Sequence, residues 1–286
     1  MPSLIDMRRR IRSVKNTQQI TKAMKMVSAA KLRRAQDRVI ASRPYGALLR
    51  KVLANVAAAA PAGDPDRLHP LLKRREEKRI LLVVITGDKG LAGAFNSNII
   101  KGAQRFQSEH SGAEIRLELI GRKGRDFFRK RHGNISGEHI NLAAKVVYND
   151  IAGIARKAID LYTKEEIDAV YLVFNEFKSV VAQKVSLRRV LPVEMPQESE
   201  PIDYIFEQPP EQMLAALLPR YVETEFYRSI LESAAAEHAA RMTAMEAATS
   251  NAGDMIEKLT LFMNRVRQAS ITKEIIEVVS GAAAAE

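Results

Sequence analysis

The sequence contains no cysteine. That excludes disulfides and thiolate-held metals, and it leaves thiol chemistry silent on the cellular compartment. Long hydrophobic runs are missing too. A notably apolar stretch, VLANVAAAA at 52–60, falls far short of a bilayer span, and the first ten residues hold no apolar signal core. The expected placement is cytoplasmic, with any membrane association peripheral. Aromatic residues make up only 6% of the chain and are not interleaved with its basic residues, as a single-strand nucleic-acid binder would require. Acids are nearly absent from one end: residues 1–51 carry 14 lysines and arginines against Asp6 and Asp37, while the rest of the chain has 31 basic and 32 acidic side chains. The net charge of +11 therefore sits on one segment, which calls for an acidic partner there.

Proline is concentrated in two breaks, PAGDPDRLHP (61–70) and LPVEMPQESEPIDYIFEQPPEQ (191–212), neither of which can continue a helix. Outside them lie long helical reaches. Residues 3–59 hold one proline, Pro44, and one glycine, Gly46. Leu4, Met7, Ile11 and Val14 begin a heptad seam; the apolar residues then shift to Ile20, Met24 and Val27 around Gln18–Gln19, and return at Leu32, Ala35 and Val39. At the other end, Met242, Met245, Thr249, Ala252, Ile256, Leu259, Met263, Val266 and Ser270 alternate three- and four-residue steps. No proline falls between 220 and 281, so this helix could approach ~90 Å. Pro219 either kinks it or begins it. Gly253, costly inside a helix, implies close approach of another backbone.

The middle of the chain alternates β and α. RILLVVIT (79–86) reads as a fully buried strand, ends at a glycine-rich turn and is followed by a helix over 94–107. EIRLELI is a second strand, followed by the helical RKGRDFFRKR, a polar loop and a helix over 148–162. A strand follows at 168–175, and 181–193 is a candidate for a further one. This order implies a largely parallel, Rossmann-like sheet. Terminal helices with seams this narrow need a partner helix, and each other is the simplest one. The expected fold is α/β with long helices: an antiparallel two-helix coiled coil formed by both chain termini, plus a central Rossmann-like α/β domain. The expected divisions are an N-terminal helix at 1–60, a linker at 61–75, the α/β domain at 76–195, a linker at 196–210 and a C-terminal helix at 211–286. The basic first helix is expected to meet Glu232, Glu237, Glu246, Asp254, Glu257, Glu274 and Glu277 of the last.

Chemistry is sparse. TGDKGLAGAFN (86–96) places Gly87, Gly90 and Gly93 after a strand and before a helix, where backbone N–H groups can cradle phosphate. Its spacing, however, is neither GxGxxG nor GxxxxGK[ST], and a structural turn or partner-contact loop is the better reading. His69, His110, His132, His139 and His238 show no metal-ligand spacing. No GxSxG nucleophile elbow occurs. From the residues alone three readings stay open: a coiled-coil scaffold, a basic arm for nucleic acid or a membrane surface, and a nucleotide-binding enzyme with helical appendages. A seam running through the basic segment itself weighs against a DNA-reading helix, because one face is already committed to a partner.

The segments IRSVKNTQQITKAMKMVSAAKLRRAQ (11–36), ASRP (41–44), GDKGLAGAFNSNI (87–99) and ARMTAMEAATSNAGDMIEKLTLFMNRVRQASITKEIIEVVSGA (240–282) resemble the gamma subunit of bacterial F-type ATP synthases. The resemblance implies a non-catalytic central stalk, one copy per complex, that couples proton-driven rotation of a membrane c-subunit ring to ATP synthesis at the beta subunits. Its implied partners are the alpha and beta subunits, the epsilon subunit and the c ring, with no nucleic acid and no cofactor or metal. The implied place is the cytoplasmic face of the bacterial inner membrane, peripherally attached. Partner contacts map by resemblance onto Met24 and Lys25, onto Asp88, Lys89 and Ala92 in the turn, and onto Arg241, Gln268, Thr272 and Glu274. Ala92 stands where many members carry cysteine. The cysteine-bearing insertion of chloroplast members is absent, so no thiol switch is expected.

Overall fold

A computed structural model of the chain describes residues 3–59, 69–131, 134–142, 146–180, 182–195 and 208–283. Most of the two expected linkers, together with His132, lies outside the described residues.

Helix α1 runs Leu4–Ala59. The Ser3 hydroxyl caps it, accepting from the Asp6 backbone N–H at 3.1 Å and donating to the Asp6 carboxylate at 2.9 Å. A short 3₁₀ turn follows at Pro70–Leu72, inside the segment expected to be linker, capped by the ring nitrogen of His69. Then come β1 (Arg79–Ile85), α2 (Phe95–Glu109), β2 (Glu114–Ile120), α3 (Arg122–Phe128), β3 (Ile135–His139), α4 (Tyr148–Thr163), β4 (Ala169–Phe177), β5 (Gln183–Leu191) and α5 (Pro210–Ala283). Pro219 does not begin α5 but lies more than two turns inside it. The expected polar loop between α3 and α4 contains a strand, β3, whose residues ISGEH show no alternation strong enough to mark it. Pairing to β2 in register makes it a strand.

The five strands form one sheet in the order β3-β2-β1-β4-β5. β1 pairs in parallel with β2 and β4, β2 in parallel with β3, and β5 closes the far edge antiparallel to β4. Both faces of β1 are buried, which explains its unbroken apolar run. Leu81, Val83 and Ile85 pack with Leu49, Leu53 and Val56 of α1, Leu218, Val222 and Phe226 of α5, and Tyr162 of α4. Ile80, Leu82 and Val84 face Phe95, Ile99 and Phe106 of α2 and Phe128 of α3.

Compactness divides the chain into two units: Ala29–Arg241, and the two ends Met1–Ser28 with Met242–Glu286. The first unit thus includes the sheet together with long parts of both terminal helices. Sequence patterning separates helix from sheet; burial joins them, because Leu53, Val56, Leu218 and Val222 are fully buried in the sheet's own core.

Within the terminal unit the helices run antiparallel. Gln18 donates to the carbonyl of Thr249 (3.4 Å), the Thr249 hydroxyl donates to that of Thr21 (2.7 Å), and Lys25 pairs with Glu246 (2.6 Å), so one chain rises as the other falls. The seam does not shift at Gln18. Its three- and four-residue spacing continues through Gln18, Thr21, Met24 and Ser28, while Ile20 and Val27 are 60% and 55% exposed. The helix keeps its period and accepts small polar side chains in the seam, turning two β-branched residues outward. Nor does another backbone press on Gly253. The nearest atom a Cβ there would meet is the amide nitrogen of Gln18, at 3.2 Å.

Candidate functional site

Two groups of side chains carry what functional signal the chain has, one in each unit. In the sheet unit it is the β1–α2 loop. Thr86 closes its start: its hydroxyl donates to the Ile120 carbonyl at 3.0 Å and accepts from the Gly124 N–H at 2.9 Å. Gly121, at φ 96, enters α3 so close to Thr86 that a Cβ would stand 2.1 Å from the Thr86 carbonyl oxygen. Asn96 ties the loop to itself, accepting from the Gly87 N–H at 2.9 Å and donating to the Lys89 carbonyl at 3.3 Å. One oxygen of Asp88 accepts from the backbone N–H groups of Arg122 and Asn141, each at 3.0 Å. Leu91 takes a left-handed conformation (φ 61) and is 65% exposed.

This geometry does not cradle a phosphate at Gly87. The N–H that would point at it is spent on Asn96, and the space against Gly87 is held by a carboxylate: a Cβ there would lie 2.7 Å from Cδ of Glu237. Glu237 in turn pairs with Arg241 one turn along α5, at 2.5 Å, and Arg241 also donates to the carbonyl of Gly90 at 3.3 and 3.4 Å. Both side chains are buried. Glu237 was expected to face the basic helix; it lines a cavity with Lys31, Arg34 and Arg38 of that helix, but its ion pair is with Arg241 of its own helix, through which it pins the loop. The signal was present as i,i+4 spacing. Beside them, His238 is held down to about 4, by burial first and then by the positive charges of Arg241 and Lys31.

Two of the other expected acids likewise pair within α5. Glu232 lies 4.0 Å from Arg228 and Glu277 lies 3.4 Å from Lys273, both on α5. Among those named for the basic helix, only Glu246 meets a cation of α1 in the described residues, through Lys25. Buried Glu225, not foreseen, holds Arg50, Arg188 and Arg228. Glu118, also buried, takes hydrogen bonds from His139 (2.7 Å) and Lys157 (3.0 and 3.3 Å). Burial raises its pKa, but the bonds from His139 and Lys157 outweigh that and hold the carboxyl below its usual range.

The structure brings Asp88, Lys89 and Arg241 around one cavity. Ala92 is 2% exposed and packs into the sheet's core, so its methyl faces inward and the exposed large apolar residue of that turn is Leu91. In the terminal unit Met24 is half-buried and Lys25 is paired with Glu246. Gln268, Thr272 and Glu274 are exposed, and their hydrogen bonds stay within α5: Thr272 donates to the Gln268 carbonyl (3.0 Å) and Ser270 to Glu274 (3.3 Å). Arg8, Arg9, Arg10, Arg12 and Lys15 are exposed and form no ion pair among the described residues. No helix among the described residues is long and apolar enough to cross a membrane.

A family model described as ATP synthase matches residues 3–285. The chain is 74% identical to the ATP synthase gamma chain of Solibacter usitatus over 286 residues, covering 100% of both. It is 50% identical to the gamma chain of Pelotomaculum thermopropionicum over 289 residues, again 100% of both. Among solved structures it is similar to a chain in the central stalk and c-ring structure of the Tetrahymena thermophila mitochondrial ATP synthase, with TM-score 0.60 and 27% identity, covering 80% of this chain and 99% of that one. A chain of the Euglena gracilis mitochondrial ATP synthase in rotational state 3 shares the fold, with TM-score 0.69 at 18% identity, over 98% of this chain and 94% of that one. The fold and these matches define a central-stalk protein of a rotary ATP synthase. The chain belongs to the ATP synthase gamma-chain family.

Proposed function

We propose that the chain is the non-catalytic rotor of a bacterial proton-translocating F-type ATP synthase, turning against the catalytic beta subunits and performing no chemistry of its own. The observation that carries this is the surface of the terminal unit. Its described residues expose Ile20, Met26, Val27, Leu261, Phe262, Ile271, Ile275, Ile276, Val278 and Val279, an excess that a free-standing surface does not show. Such a surface fits an apolar sleeve, formed by the alpha and beta subunits, that makes few directional bonds to break at each turn. The outward cations of α1 fit acidic loops on that sleeve, an attraction that is long-ranged and tolerant of orientation. Rotation past three equivalent subunits works by giving each state different contacts.

In this reading Met24, Lys25, Gln268, Thr272 and Glu274 touch the surrounding subunits, and Asp88, Lys89 and Arg241 form a collar in which Leu91, rather than the methyl of Ala92, is the apolar contact. The divisions 1–60, 76–195 and 211–286, joined by 61–75 and 196–210, are the functional ones, with the α/β part meeting the epsilon subunit and the c ring. Attachment is peripheral, at the cytoplasmic face of the inner membrane. Coexpression with the alpha and beta subunits of the same organism tests it: a complex with strong ATPase activity is expected, with none from the chain alone. A chain that hydrolyses ATP unaided, or that fails to assemble, overturns the reading.

A further inference from the structure

Lys31, Arg34 and Arg38 of α1, Lys89 of the β1–α2 loop and Arg241 of α5 line one cavity of about 250 Å³, shared with the carboxylates of Asp88 and Glu237 and with His238. Glu237 is neutralised by Arg241, and one oxygen of Asp88 is taken by two backbone N–H groups. Lys31, Arg34, Arg38 and Lys89 are exposed and form no ion pair among the described residues. Three of them fall at i, i+3 and i+7 on one helix, where like charges repel. A buried arginine, fixed in orientation by Glu237 and the Gly90 carbonyl, completes the ring.

We propose that this cavity binds a small free oxyanion of two or more charges, of the phosphate or pyrophosphate class. Its volume lies below the roughly 300–1,000 Å³ of sites for drug-sized ligands, so it has room for a phosphate or two and not for a whole nucleotide. Its cations come from three separate elements and approach from different sides. A tetrahedral oxyanion offers acceptors in all those directions, whereas a single carboxylate offers two oxygens in one plane. Binding joins the loop to both helices and relieves the repulsion along α1. The site goes beyond the rotor reading but shares Asp88, Lys89 and Arg241 with the proposed collar, so its binding is read on the chain free of other subunits.

The test uses the full-length chain at low ionic strength, titrated calorimetrically in separate arms with inorganic phosphate, pyrophosphate, ADP and a polyglutamate peptide. Pyrophosphate is expected to bind one to one. Arg34→Ala or Lys89→Ala, both exposed and harmless to folding, should each weaken it about tenfold, the effect of losing one charge-assisted hydrogen bond. Arg9→Ala/Arg10→Ala, in the other unit, should leave it unchanged. A second readout is the His238 imidazole followed by NMR. An anion beside Arg241 and Lys31 offsets their charge, so its titration moves up from about 4 when pyrophosphate is present. Four results overturn the proposal: no pyrophosphate binding at millimolar concentration, equal loss in the control variant, tighter binding of ADP than of pyrophosphate, or binding of the peptide alone.

Discussion

The sheet unit buries large apolar side chains from four helices and a strand: Phe106, Phe128, Tyr162, Phe174 and Phe226 are all at or below 2% exposure. In the terminal unit only five described residues are buried, namely Met7, Thr21, Ser28, Met245 and Ala252, and two of those carry hydroxyls. One region holds itself together; the other has a seam two residues wide and a great deal of apolar surface left over. A two-helix segment built this way gains little from its own packing and is stabilised by whatever surrounds it. The difference teaches that the buried core and the leftover apolar surface lie on different parts of the same two helices.

The sharpest way to break this comparison is to empty the sheet core. Phe226→Ala removes a fully buried ring between α5 and the sheet and should cost about 3–5 kcal/mol, read as a lowered urea midpoint. A matched truncation in the terminal unit, Met263→Ala at a half-buried seam position, should cost well under half as much. Equal losses would mean that the terminal seam is a genuine core.

Much of this division was legible in the sequence, and the part that was not has a common physical cause. The β1 run and the order of strands and helices could be read because burial on both faces demands continuous apolar residues. β3 was not legible: an edge strand of five residues with Ser, Gly, Glu and His needs only β2 beside it. The register of α1 was misread because apolar residues were followed instead of the period. Ile20 and Val27 look like core, yet the heptad seats Thr21 and Ser28. In the loop, the glycines and Lys89 could be picked out, but Asn96 and Glu237 could not. What fills the space against Gly87 comes from a helix 150 residues further on, and spacing carries no trace of it.

The polar seam gives a finer test. Thr21→Val leaves the Thr249 hydroxyl only the Met245 carbonyl of its own helix to bond and should cost at most roughly 1 kcal/mol; Thr21→Val/Thr249→Val replaces both partners and should recover most of it. Hydrogen exchange of the 242–256 amides, which reports local opening of this unit, is the measurement. Failure of the double variant to recover would mean that the hydroxyl pair specifies the register.

The sheet unit also carries a pH signature. The Glu118 carboxyl is held below its ordinary value of 4.5 in the folded chain, chiefly because the hydrogen bonds from His139 and Lys157 exceed the burial penalty. A depressed carboxyl contributes stability that is fully present above 4.5 and is lost as pH falls through the lower, folded value. Glu118→Gln should therefore lower stability at neutral pH and flatten the acid limb of the stability–pH curve. An unchanged limb would remove Glu118 from the account of acid unfolding.

The smallest expected effect on stability separates the two regions most cleanly. Lys25 and Glu246 are 38% and 60% exposed, so water and salt screen their attraction, and Lys25→Ala should cost below about 1 kcal/mol. If the terminal unit served only to hold the chain together, so small a change would be silent. If instead its exposed face meets the surrounding subunits, as proposed, the same substitution removes a cation from that contact. Proton pumping per ATP hydrolysed by the assembled, membrane-bound complex should then fall while assembly and the urea midpoint of the isolated chain stay within error. Loss of assembly would make Lys25 structural, and unchanged pumping would take it out of the contact surface.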